Sequence, residues 1–78
     1  MKAFVEILAG IVRVGPECNG YGDPFEFAAA FSANAGVAIA KGLVGSDRYT
    51  LAHHRAGINA LHAMGLVTDW ERIKRKGA

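Results

Sequence analysis

Between residues 46 and 65 the apolar positions recur with the period of a helix. At about 100° per residue, Leu51, His54, Ile58, Leu61 and Gly65 fall on one stripe, flanked by Gly57 and Met64. Ser46 or Asp47 can cap the start, and Gly65 suits a left-handed terminator. Nearly opposite the stripe lie Ala52, Ala56, Ala60 and Ala63, so a broad polar face is missing. Alanine is the best helix former and fills solvent positions at little cost. The same small residues would also let a second surface approach closely, whether the sheet, a second copy or a partner.

Elsewhere the pattern is shorter in period. Residues 3–14 carry Phe4, Ile7, Leu8, Ile11 and Val12 at helical spacing, yet the run is dense in valine and isoleucine and ends at Gly15-Pro16. The β-branched content favours a buried strand. Residues 15–24 are punctuated by Gly15, Pro16, Asn19, Gly20, Gly22, Asp23 and Pro24, which marks a loop. Residues 25–32 place Phe25, Phe27 and Phe31 on one face of a strand, although Asp23-Pro24 would also open a helix. Residues 32–36 read as a turn, and residues 37–44 set Val37, Ile39 and Leu43 on one side. Together these predict a hairpin. Residues 66–76 admit a closing strand, or a helix with Thr68 and Glu71 as a capping box.

The expected fold is α+β, a small antiparallel sheet of 3–4 strands packed on one main helix, as a single domain with a basic tail at 74–78. A mostly helical chain with a C-terminal helix-turn-helix is the alternative. The expected core is Phe4, Ile7, Leu8, Ile11, Phe25, Phe27, Phe31, Ile39, Leu43, Leu51, Ile58, Leu61, Trp70 and Ile73. Alanine supplies much of the 51% hydrophobic content and buries little area. A chain of 78 residues therefore has a thin margin of stability.

Net charge is only +2, too weak to imply a polyanionic partner by itself. No apolar run is long enough to cross a bilayer, and the lone Cys18 excludes an internal disulfide. A cytoplasmic location is expected. Cys18, His53, His54 and His62 have no zinc-type spacing, and His54 and His62 stand roughly 12 Å apart along one helix. No metal or cofactor is expected. Cys18 has no basic neighbour in sequence to activate it, so catalysis is not expected. Gly42 to Ser46 precedes the helix as an anion-binding turn would, but Asp47 stands beside it. Arg72, Lys74, Arg75 and Lys76 gather at the C-terminus beside Trp70 and Ile73. On a second helix they would form a nucleic-acid-binding surface.

Two resemblances bear on function. The order of VAIAKGLVG, a long helix and a short strand resembles the middle of the GNAT acyltransferase fold, which implies acyl-CoA binding near Gly42 to Ser46. Here Lys41 to Ser46 departs from that family in its leading residue and glycine spacing. The pattern His54, Arg55, Ala56, Ala60, Leu61, Met64, Gly65, Trp70, Glu71, Arg72 and Ile73 is similar to small accessory proteins of bacteriophages and prophages. It implies binding to a host or viral macromolecule, in the host cytoplasm. The leading expectation is thus a non-enzymatic protein-binding module, possible also as a homodimer. Its contact residues would be Tyr21, Arg48, Tyr49, Arg55, Trp70 and Arg72, because aromatics and arginine dominate interface energetics.

Overall fold

In the computed structural model the described residues are 1–45 and 48–69. Three strands follow one another as an antiparallel meander: β1 (Ala9–Val14), β2 (Phe27–Asn34) and β3 (Val37–Gly45). The helix α1 (Leu51–Ala63) then returns the chain to β4 (Val67–Thr68), which pairs beside β3. The fold is α+β, and the ambiguous segments before the helix resolve as strands. One expectation is corrected. The sheet is mixed, because β4 runs parallel to β3 through Val37↔Val67 and Ala38↔Thr68. A helical crossover carries the chain back along the sheet, so the strand that follows it points the same way as the one before.

The β2–β3 connection is fixed by two residues. Ala35 and Gly36 both have positive φ, 51° and 81°, which is the twist-matched turn of a two-residue hairpin. Pairing outward from it sets Ala33 against Ala38 and Phe31 against Ala40. The register then shifts, so that Lys41 is the extra residue and Gly42 meets Ala30. The first strand begins at Ala9 rather than near residue 3, and Phe4 is correspondingly exposed.

The helix starts later than its periodicity suggests. Thr50 is the N-cap, and its hydroxyl accepts from the His53 backbone N–H at 3.3 Å. Ser46 and Asp47 lie outside the described residues. The far end stops as expected. Gly65 takes φ 80°, its N–H donates to the His62 carbonyl, and the Leu66 N–H donates to Leu61 at 2.9 Å. That is the double bond of a Schellman motif, and Leu66 is buried next to Leu61 as the motif favours.

Cross-strand partners share a face, so the register sorts every strand residue. Gly10, Val12, Val14, Phe27, Ala29, Phe31, Ala33, Ala38, Ala40, Leu43 and Gly45 form the inner face, toward α1. Ile11, Arg13, Ala28, Ala30, Ile39, Gly42 and Val44 form the outer face. Among the described residues the buried apolar ones are Phe27, Ala33, Ala38 and Leu66. Ala33, Ala38 and Leu66 close one end of the inner face, where Ile7, Phe31 and Leu61 pack on them. Phe27 closes the other end. Of the expected core, Phe4, Leu8, Ile11, Phe25, Ile39, Leu43 and Leu51 are instead exposed, and Trp70 and Ile73 lie outside the described residues. The alanines Ala52, Ala56, Ala60 and Ala63 all face solvent, which is their role as inexpensive helix formers.

Candidate functional site

The backbone of α1 approaches β1 and β4, at the two margins of the sheet, more closely than the β2–β3 centre. Gly57 faces β1, where a Cβ would make ordinary van der Waals contact with Val12 and Val14 at 3.6 Å. Between helix and sheet a cavity of about 690 Å³ remains. Its walls are almost wholly apolar, with Val12, Ala29, Phe31, Ala40, Leu43, Ile58 and Leu61 among them. Tyr49, His54, Thr68, Asp69 and Lys41 contribute the polar part. A space of this size and lining lies in the range of small-molecule sites.

One end of the cavity is organised by the helix cap. The His53 imidazole accepts at Nδ1 from the Thr50 backbone N–H at 3.1 Å, taking the place usually filled by glutamate in a capping box. That bond fixes the tautomer, so Nε2 carries the proton and donates to Glu26 Oε1 at 2.9 Å. The first turn of α1 holds no acidic residue of its own, and Glu26, from the start of β2, brings a carboxylate there instead. Thr50 Oγ1 lies 2.8 Å from His53 Nδ1, so hydroxyl, imidazole and carboxylate form a line. The line serves as a tie between helix and sheet. The imidazole lone pair is already held by a backbone amide, and the hydroxyl already caps the helix.

Aromatic rings complete this end. Phe27 meets Tyr49 edge-on at 5.1 Å between centroids and His53 at 4.8 Å, while Tyr49 stacks on His53 at 5.9 Å. The Tyr49 hydroxyl lies 3.2 Å from His54 Nδ1. Burial pushes the Tyr49 phenol above its ordinary value. His54, mid-stripe on the helix, is thus a cavity-lining residue with a phenol partner.

Tyr49 belongs to the Phe27 cluster, Tyr21 stands fully in solvent on the β1–β2 loop, and Arg48 and Arg55 are exposed. Trp70, Arg72, Lys74, Arg75 and Lys76 lie outside the described residues. Cys18 rests in the β1–β2 loop with its Sγ 3.5 Å from the Arg13 carbonyl oxygen. Among the described residues no three histidine, cysteine or acidic side chains converge as a metal site.

What the sequence reading missed is the outer face. Ile11, Ile39 and Val44 are 55%, 40% and 70% exposed there, around the small residues Ala28, Ala30 and Gly42. At its margin the Arg13 guanidinium sits over the Phe25 ring at 5.5 Å. Among the described residues no helix or strand covers this face. The Ala35-Gly36 turn was the available signal, because counting outward from it assigns each residue to a side. No helix among the described residues is long and apolar enough to cross a membrane. Comparison with family models, curated proteins and solved structures finds no match to this chain.

Proposed function

We propose that the chain is a non-enzymatic binding module whose outer sheet face receives a protein partner. The observation that carries this reading is the uncovered apolar surface of Ile11, Ile39 and Val44. Small residues between them, Ala28, Ala30 and Gly42, let another backbone come close. β3 also offers an edge. Among the described residues β4 pairs with only its first two positions, so the remainder can accept a strand from a partner. The resemblance to phage accessory proteins supports a host or viral protein in that role.

The test uses tagged wild type and the variants Ile11→Glu, Val44→Glu and Ala52→Glu on lysate of the source cells, with circular dichroism confirming each fold. A partner held by wild type and Ala52→Glu but lost from both outer-face variants supports the reading. A partner held equally by all four removes it.

A second reading is favoured by one observation. The parallel β3–α1–β4 crossover is the strand order implied by the GNAT resemblance. On this second reading the chain would be a reduced acyl-CoA-binding protein. Coenzyme A should then raise the melting temperature, and the absence of any shift counts against it.

A further inference from the structure

We infer that the cavity between α1 and the inner face binds a straight-chain aliphatic carboxylate of medium length. The site lies on the helix side of the sheet, with only Ala28 and Gly42 of the outer-face residues also bordering it. Three features set the ligand class.

The cavity has an apolar lining, with Ala29, Phe31, Ala38 and Ala40 on the sheet and Gly57, Ile58 and Leu61 on the helix. None of these donates or accepts a hydrogen bond through its side chain, so the buried part of the ligand is hydrocarbon. Small side chains on both walls leave room for an alkyl chain between helix and sheet.

Charge supplies the head group. Lys41, the extra residue at the register shift of β3, is the lysine or arginine among the lining residues. It forms no ion pair with another described residue. Asp69, the lining carboxylate, already has an interaction of its own. An apolar body with one anionic end therefore matches both the walls and the lining Lys41.

Isothermal titration and displacement of a fluorescent aliphatic probe with octanoate, decanoate and dodecanoate, each below micelle formation, test this directly. Each added methylene should tighten binding about fourfold until the cavity is full. Ala29→Leu and Ala40→Leu fill the space and should weaken dodecanoate binding at least tenfold, with melting temperature unchanged or raised. Ala40 is exposed at the cavity, so its variant keeps the fold even where Ala29→Leu does not. Lys41→Gln should weaken the carboxylate roughly threefold and leave dodecanol unaffected. Val44→Glu, on the outer face, should bind as wild type. Coenzyme A without a chain serves as the control that separates this site from the acyl-CoA reading. Absence of chain-length dependence, or equal binding by Ala40→Leu, overturns the proposal, as does loss of binding in Val44→Glu.

Discussion

The inner and outer faces of the sheet are made from alternate residues of the same three strands, and they have different fates. The inner face meets α1, closes at both ends around Phe27 and around Ala33, Ala38 and Leu66, and holds an apolar cavity between. The outer face carries residues of similar hydrophobicity, Ile11, Ile39 and Val44, with no described element over them. Composition does not separate the two. What separates them is which side the β3–α1–β4 crossover takes. Among the described residues one helix covers one side of the sheet, and no described helix or strand lies over the other.

Substitutions that pair the faces break or sharpen this contrast. The largest effect is expected at Phe27, which is 4% exposed. Phe27→Ala should cost about 3–5 kcal/mol. That is a large part of the roughly 4–12 kcal/mol available to a chain of this size. Val44→Ala on the outer face should cost under about 0.5 kcal/mol. Urea denaturation reads both, and comparable losses would deny the distinction. The glycines of β3 give a second pair. A Cβ at Gly45 would collide with the Phe27 ring and come within 2.8 Å of the Glu26 carbonyl oxygen, while one at Gly42 meets nothing within 4 Å. Gly45→Ala should therefore lose about 1–3 kcal/mol and Gly42→Ala almost nothing.

Smaller effects probe the tie at the helix start. Thr50→Ala removes the cap that positions His53 against Phe27 and should cost about 1 kcal/mol. In a Tyr21→Phe background, ultraviolet titration should show Tyr49 ionising above the usual value of about 10. The sign follows from burial. The folded state favours the neutral phenol, so this contribution is complete below about pH 10 and is lost as pH rises through the raised folded value. A midpoint at or below the ordinary value would place the ring in water.

Much of the fold was legible. The main helix, present over Leu51–Ala63 within the periodic stretch, Gly65 as its terminator and the turn within residues 32–36 all appear in the structure. Each depends on local chemistry, where neighbours in sequence decide the outcome. The helix start was less legible because Thr50 and His53 form a capping box with histidine in glutamate's place, and Glu26, far away in sequence, completes it. The parallel direction of β4 depends on where the crossover lands, which no local pattern records. The core was misjudged for a related reason. Large apolar residues were assumed to be inside, yet Phe4, Leu8 and Ile39 are exposed while Ala33 and Ala38 are buried. Strand register, set by the Ala35-Gly36 turn, decides burial here more than side-chain size does. The cavity was unreadable from sequence, because it arises from the distance α1 keeps from the centre of the sheet.

Adjacent positions on β3 test the division of faces most directly. Ala38 is 2% exposed on the inner face and Ile39 is 40% exposed on the outer. Aspartate at each, compared by urea denaturation, should cost several kcal/mol for Ala38→Asp, where a carboxylate enters the core, and only about 1 kcal/mol for Ile39→Asp. Equal losses, or a greater loss at Ile39, would contradict the account.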